Sequence, residues 1–186
     1  ASCRRRTRVH RYTKFLHLVP ATALNLALAH AEGVDSMEAA MRHIDGSDAK
    51  PCDEDEGGCG AMNGISHDIA GAALPEMFCV ALTWDTASPE RATVTETLGN
   101  VSTALDLAKV FEKMPAGGTE YRLRCVMCYY GEHYAAFAVS DAGAGGRERW
   151  LLFDDATTVA DHNGGSDRQK NKTIYILAFE ERSFIT

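Results

Sequence analysis

Two short segments and the turn between them decide the fold of this chain: Tyr129-Tyr130-Gly131-Glu132-His133-Tyr134 and Trp150-Leu151-Leu152-Phe153-Asp154-Asp155. The stretch that separates them begins with the apolar run 135–139 and continues through the turn-rich run 140–146, which contains three glycines. An apolar strand, a glycine-rich turn and a second apolar strand are typical of a β-hairpin. The sequence therefore predicts two adjacent antiparallel strands here.

The register of this hairpin brings a histidine and a carboxylate together. A turn centred between Gly143 and Ala144 pairs His133 with Asp154 on one face of the sheet, with their Cβ atoms about 4.5–5.5 Å apart. A carboxylate in that position fixes the tautomer of an imidazole and stabilises its protonated form, two of the roles in a nucleophilic triad. The register is assumed, and a slip of one residue would place the two side chains on different faces.

Composition restricts the class of protein. The 186 residues fit one domain or a large part of one, and 45% hydrophobic with 24% charged residues is ordinary for a globular protein. The net charge of −7 argues against nucleic-acid binding, and no apolar run approaches the roughly 18 residues of a membrane span. Six irregularly spaced cysteines favour an intracellular location, in the cytoplasm or nucleus, over a disulfide framework.

The order of predicted elements indicates an α+β fold with a mostly antiparallel sheet. Helical spacing of apolar residues predicts helices over 19–32 and 36–44, the second capped by Asp35 or Ser36. The acidic, glycine-rich run 49–60 is predicted to be a loop or knuckle, and 103–111 a short helical or irregular connection. β-Branched and aromatic residues concentrate in five predicted strands at about 76–84, 121–130, 133–140, 148–155 and 173–181.

The hairpin also carries a family resemblance. The motif Gly131-x-His133-Tyr134, followed by Trp150-x-x-Phe153-Asp154-Asp155, resembles the histidine box of ubiquitin-specific proteases, the papain-like cysteine deubiquitinases. The runs 74–84, 121–128 and 174–180 resemble strands of that family's palm, in the correct order. The resemblance extends from about Cys3 to Arg182, and its closest match is a divergent branch of the family.

The resemblance implies roles for individual residues. His133 takes the place of the catalytic base and Asp154 that of the triad carboxylate, while Asp155 takes the place of a second acidic residue that assists them. A turn-capping role is an equally good interpretation of Asp155. Gly131 and Tyr134 match positions that line the channel for the Gly-Gly tail of ubiquitin, where glycine allows backbone to approach backbone.

The family's nucleophile box, an Asn-x-x-Asn-x-Cys-Tyr type of sequence, does not occur in this chain. The resemblance therefore implies the C-terminal part of a catalytic domain, whose thumb, bearing the cysteine, lies upstream. In this interpretation residues 1–72 form a finger-like and helical region, and residues 73–186 form the palm with the histidine box. The parent domain is expected to act on ubiquitin and ubiquitinated proteins, whereas this chain alone is expected to be inactive.

Cysteines suggest one cofactor, a structural zinc ion that the proposed chemistry does not require. The fingers of the family often hold zinc between two Cys-x-x-Cys knuckles, and Cys3, Cys52 and Cys59 approximate the remains of such a site. His10, His17 or His67 are possible fourth ligands, although a decayed site is the alternative. Cys125 and Cys128 have knuckle spacing but lie in a predicted strand, where alternation sends them to opposite faces.

Three functional classes remain open from the sequence. The first is the enzyme fragment, for which the histidine and aspartate argue. The second is a catalytically inactive ubiquitin-binding or scaffold module, for which the missing nucleophile, the incomplete knuckles and Glu132 in place of a glycine argue. The third is an unrelated zinc-binding interaction domain. The coding sequence upstream of Ala1 would separate the first two.

Overall fold

The computed structural model of the protein describes residues 3, 16–55, 57–130, 133–140, 149–154 and 174–181. These residues form helices and a mainly antiparallel sheet, so the predicted α+β class is confirmed at that level. In chain order the strands are β1 (His17–Pro20), β2 (Ala49–Pro51), β3 (Met62–Gly64), β4 (Met77–Thr83), β5 (Ala104–Asp106), β6 (Glu120–Tyr130), β7 (His133–Ser140), β8 (Arg149–Asp154) and β9 (Ile174–Glu181).

Over the described ranges, the main sheet has seven strands in the order β1-β4-β9-β6-β7-β8, and the short β5 pairs with the beginning of β6. All its pairings are antiparallel except that of β1 with β4. The five strands that the sequence predicted are therefore present as β4, β6, β7, β8 and β9, with ends within one residue of the predicted ones. Strands β2 and β3 form a separate hairpin.

Four helices accompany the sheet within the described part of the chain: α1 (Ala21–His30), α2 (Met37–Ser47), α3 (Arg91–Gly99) and α4 (Leu107–Val110). The predicted cap of α2 is confirmed for Ser36, whose Oγ accepts a hydrogen bond of 3.2 Å from the backbone N–H of Ala39. The first helix begins two residues later than predicted. Residues 17–20 pair with β4 instead, since Val19 favours extended backbone and Pro20 has a fixed φ of −64° at the junction.

One face of the main sheet forms the hydrophobic core. Strand pairing places Val80, Leu177 and Phe179 on this face, and all three are fully buried against apolar side chains of α1, α2 and α4. On the opposite face lie side chains that remain substantially exposed, such as Leu18 and Met127. Within the part of the chain that the structure describes, α1, α2 and α4 therefore pack on this face of the sheet.

A buried polar chain fastens α1 to α3. Asn25 donates a 2.9 Å hydrogen bond to Oγ1 of Thr97, and the side chain of Thr97 donates to the carbonyl of Thr93 at 2.8 Å. Asn100 completes the chain by donating to Oδ1 of Asn25 at 3.0 Å. Because Asn25 and Thr97 are both buried, each of these hydrogen bonds satisfies a group that water does not reach.

The predicted boundary near residue 72 remains a prediction, although core side chains come from both sides of it. Among the described residues, no helix is long and apolar enough to cross a membrane.

Candidate functional site

The predicted histidine and aspartate lie on one face of neighbouring strands, but the exact pairing predicted for them is wrong. In the β7–β8 pair the partner of Asp154 is Ala135, two residues after His133. This pairing centres the hairpin between residues 144 and 145, one residue after the predicted centre between Gly143 and Ala144. Because side chains alternate with a period of two, a shift of two residues keeps His133 and Asp154 on the same face.

The two side chains are diagonal neighbours instead of directly opposed ones. Such a diagonal spans about 7–8 Å between strands and still lies within reach of long side chains. His133 is the first residue of β7, where it pairs with Tyr130 of β6, and it is exposed. Asp154 is the last residue of β8 and is half-buried. An imidazole there is open to a reaction partner, while the carboxylate is partly withdrawn from water.

Of the other predicted site residues in the histidine box, the structure describes Tyr134. Tyr134 lies on the opposite face from His133, is 54% exposed, and packs its ring against Tyr129 at a centroid distance of 4.6 Å. Gly131 and Asp155 lie outside the described residues, so their predicted roles stay predictions.

A cysteine shares the row of Asp154. Cys128 in β6 pairs with Ala135, which in turn pairs with Asp154, so the three residues follow one another across the same face. The thiol is buried and donates a 3.3 Å hydrogen bond to the carbonyl of Ala135. Burial and the nearby negative charge of Asp154 raise the pKa of Cys128. Cys128 is therefore held as a protonated thiol, unsuited to act as a nucleophile.

The same strand confirms the prediction for Cys125. Cys125 lies on the face opposite to Cys128, next to Ala178 of β9. Its side chain is half-buried, whereas that of Cys128 is buried. The spacing of a knuckle therefore brings no two thiols together here, because a strand sends positions three apart to opposite sides.

The predicted thiol cluster is assembled by the hairpin of β2 and β3. Sγ of Cys3 lies 3.5 Å from Sγ of Cys52, and the ligand atoms of Cys3, Cys52 and Cys59 all lie within 4.8 Å of one another. The loop closes because the backbone N–H of Cys52 donates to the carbonyl of Ala61 at 2.8 Å, and the N–H of Gly60 donates back to Cys52 at 3.0 Å. These backbone hydrogen bonds bring Cys52 and Cys59 close together although six residues separate them in the sequence.

Glycines that the sequence analysis did not single out permit this loop. A Cβ atom added to Gly58 would lie 2.5 Å from Sγ of Cys52 and closer still to the carbonyl oxygen of Asp53. Gly60 has a φ of +69°, in the left-handed region that favours glycine. The signal was present in the sequence, since both glycines flank Cys59, but spacing alone does not show which glycine lies against a sulfur atom.

Backbone N–H groups point at the sulfur atoms. Those of Cys3 and Ala61 donate to the thiol of Cys59 and lower its pKa to about 7. At Cys52 the N–H of Cys59 favours the thiolate, but the neighbouring Cys3 thiol and burial outweigh it and raise the pKa of Cys52. The cluster therefore holds one thiol that ionises near neutral pH beside two others.

The donor set fits zinc. Tetrahedral ligation at a Zn–S distance of about 2.3 Å separates two sulfur atoms by about 3.8 Å, close to the spacing found here. Among the described residues, the ligand group consists of these three cysteines alone. Two histidines that the sequence offered as a fourth ligand lie against carboxylates instead: His17 3.5 Å from Asp45, and His67 3.5 Å from Asp48. The third, His10, lies outside the described residues.

Strand β8 exposes large apolar side chains on both faces of the sheet. Leu152 is 58% exposed on the face of Asp154, and Phe153 is 57% exposed on the other face. Trp150, on the same face as Leu152, and Leu151, on the same face as Phe153, are also exposed. Monomeric proteins seldom expose contiguous apolar surface of this kind unless it takes part in binding.

No protein-family model matches the chain, and no curated protein matches it.

Proposed function

We propose that this chain is the histidine-bearing part of a cysteine-type deubiquitinase, which hydrolyses the isopeptide bond after the C-terminal glycine of ubiquitin. The observation that carries the proposal is the position of His133 and Asp154 on one face of adjacent strands, within a sequence motif that resembles the family's histidine box. The proposal requires the carboxylate of Asp154 to reach across this diagonal to hydrogen-bond distance of the exposed imidazole, as the orienting group of a general base does.

In the proposed mechanism, the nucleophilic cysteine comes from a segment upstream of this chain. His133 accepts the proton of that cysteine, and the thiolate attacks the isopeptide carbonyl to give a thioester. The protonated imidazole then returns its proton to the leaving lysine amine, and water releases the thioester. Asp154 holds the imidazole in the required tautomer and stabilises its charged form, while Gly131 and Tyr134 line the path of the ubiquitin tail.

The state of Cys128 supports an external nucleophile. Cys128 is the nearest in strand pairing to the two proposed catalytic residues, yet it is buried, donates a hydrogen bond to a backbone carbonyl and has a raised pKa. A thiol in that state attacks carbonyls poorly, because the thiolate is the reactive form.

Zinc, if bound, has a structural part in this proposal. Cys3, Cys52 and Cys59 would hold the ion, and it would supply a cross-link between the N-terminal segment and the β2–β3 hairpin. The expected ligand set leaves one tetrahedral position for a further donor, since structural zinc sites have four ligands.

Reaction of the full-length protein with an electrophilic probe built on the ubiquitin C-terminus tests the proposal. The wild type should be labelled, and His133→Ala should reduce turnover of a fluorogenic ubiquitin substrate by about 10²–10⁴-fold, as for the loss of a general base. His43→Ala, an exposed position of α2, is the matched control and should leave turnover unchanged. Asp154→Asn should also lower turnover through the loss of tautomer control. Equal rates for the His133 and His43 variants would refute the assignment.

A catalytically inactive ubiquitin-binding module is the second candidate. The exposed apolar side chains of β8 favour it, because a binding surface needs no nucleophile. Titration of isotope-labelled ubiquitin with the chain distinguishes the two: binding that Phe153→Ser weakens, together with a full-length protein that never reacts with the probe, would support the module. A reactive full-length protein would support the enzyme.

A further inference from the structure

The three clustered thiols are arranged for a reaction as well as for metal binding. Cys59 is exposed, whereas Cys52 is buried and Cys3 is half-buried. An oxidant dissolved in water therefore meets Cys59 first, and the other two sulfur atoms lie within 4.8 Å of it. A thiol that is accessible and has a second thiol within reach is the arrangement found at reversible oxidation sites.

The distances within the cluster suit disulfide formation. A disulfide has an S–S bond of about 2.05 Å, so Cys3 and Cys52, now 3.5 Å apart, need to approach by only about 1.5 Å. Cys3 is 49 positions from Cys52 in the chain, and a bond from Cys3 to either loop cysteine would tether the N-terminal segment to the β2–β3 hairpin.

We infer that the cluster of Cys3, Cys52 and Cys59 is a peroxide-sensitive site, at which oxidation joins Cys3 to a cysteine of the β2–β3 loop and thereby excludes zinc. This inference is independent of the proposed deubiquitinase activity. It concerns a covalent modification of the cluster, in addition to its capacity to hold a metal.

The chemistry is balanced with hydrogen peroxide as the oxidant. The sulfur of Cys59 attacks one peroxide oxygen, an S–O bond forms, the O–O bond breaks, and the departing hydroxide takes up a proton to become water. The sulfur of Cys3 then attacks the resulting sulfenic acid: an S–S bond forms, the S–O bond breaks, and the second hydroxide leaves as water with the thiol proton. Two thiols are oxidised by two electrons in total, and one peroxide is reduced to two waters. Exchange with Cys52, 3.5 Å from Cys3, can move the bond within the cluster.

The remaining cysteines provide an internal comparison. Cys79 and Cys125 both lie beside Ala178 of the intervening strand, so two strand spacings of about 4.8 Å separate their backbones. That separation of nearly 10 Å exceeds the limit of about 7 Å between Cα atoms for a disulfide. Burial raises the pKa of both thiols, and the buried Cys128 donates to a carbonyl. None of the three is arranged for this reaction.

Zinc and the disulfide compete for the same sulfur atoms. A disulfide from Cys3 to a loop cysteine leaves one free thiol in the cluster, too few to hold zinc tightly. Conversely, a bound ion ties up the sulfur lone pairs that attack peroxide. Oxidation is therefore expected to release zinc, and zinc is expected to slow oxidation.

The test treats the full chain, with and without one equivalent of zinc, with hydrogen peroxide and maps the products by mass spectrometry of non-reduced peptides. The expected product is a disulfide that contains Cys3, formed at least about tenfold faster than any oxidation of Cys79, Cys125 or Cys128, as accessible thiols outpace buried ones. A chromogenic zinc dye should report release of the ion during the reaction.

Two variants make the result decisive. Cys3→Ser should slow disulfide formation, because the buried Cys52 is then the one resolving thiol left in the cluster, and the sulfenic acid on Cys59 should last long enough for dimedone to trap it. Cys79→Ser, the matched control, should oxidise like the wild type. The inference would be overturned by a disulfide that forms as fast in Cys3→Ser as in the wild type. It would also be overturned by oxidation confined to Cys79, Cys125 and Cys128, or by a rate of peroxide oxidation of the cluster that zinc does not change.

Discussion

Substitution of Gly58 by alanine is the sharpest test of the thiol cluster. The new Cβ would lie 2.5 Å from Sγ of Cys52, whereas ordinary contacts are 3.4–4 Å, so the sulfur or the loop must move by about 1 Å. Zinc–ligand distances tolerate only about 0.2 Å of deviation. Overpacking of this kind costs about 1–3 kcal/mol, which corresponds to a loss of about 5- to 150-fold in zinc affinity.

Competition against a chromogenic chelator measures this change directly. Gly64→Ala is the matched control, because it lies in the same hairpin, pairs with Ala49 and has no atom within 4 Å of an added Cβ. Its zinc affinity should equal that of the wild type. Equal affinities of the Gly58 and Gly64 variants would refute the reasoning about the loop, and a wild type that holds no zinc would refute the metal site altogether.

Three further predictions concern the fold and the cysteine beside the proposed catalytic pair. Thr97→Val should lower the free energy of unfolding by about 1–3 kcal/mol in urea, because it leaves the buried amide of Asn25 without its acceptor, whereas Thr97→Ser should recover most of the loss. Leu177→Ala, in a fully buried position of β9, should cost about 2–5 kcal/mol, and Leu18→Ala on the exposed face should cost less than about 0.5 kcal/mol in the same assay. The rate of iodoacetamide labelling of Cys128, followed by mass spectrometry between about pH 6 and 10, should still rise with pH at the upper limit. The reason is that the raised pKa of Cys128 keeps the thiol protonated at neutral pH. A labelling rate that levels off near pH 7 would contradict this.

The sequence alone was sufficient for the strands of the hairpin and their neighbours. Alternation and β-propensity are local properties, and β6, β7 and β8 begin and end within one residue of the predicted limits. The cap of α2 was equally local, because the hydroxyl of Ser36 reaches a backbone N–H three positions along the chain. The placement of His133 and Asp154 on one face followed from the same period of two, so it survived an error of two residues in the register.

Tertiary structure decided the features that depend on residues distant in the sequence. The strand β1 is too short to be recognised by pattern, and its parallel pairing with β4, more than 60 residues away, makes it a strand instead of the start of a helix. The approach of Cys3 to Cys52 and the burial of Cys128 in the same cross-strand row as Asp154 likewise arise from chain folding and strand order. Sequence patterns record what a residue prefers in relation to its near neighbours, whereas the reactivity of a thiol or an imidazole depends on the charge, the hydrogen bonds and the exclusion of water that the whole fold imposes.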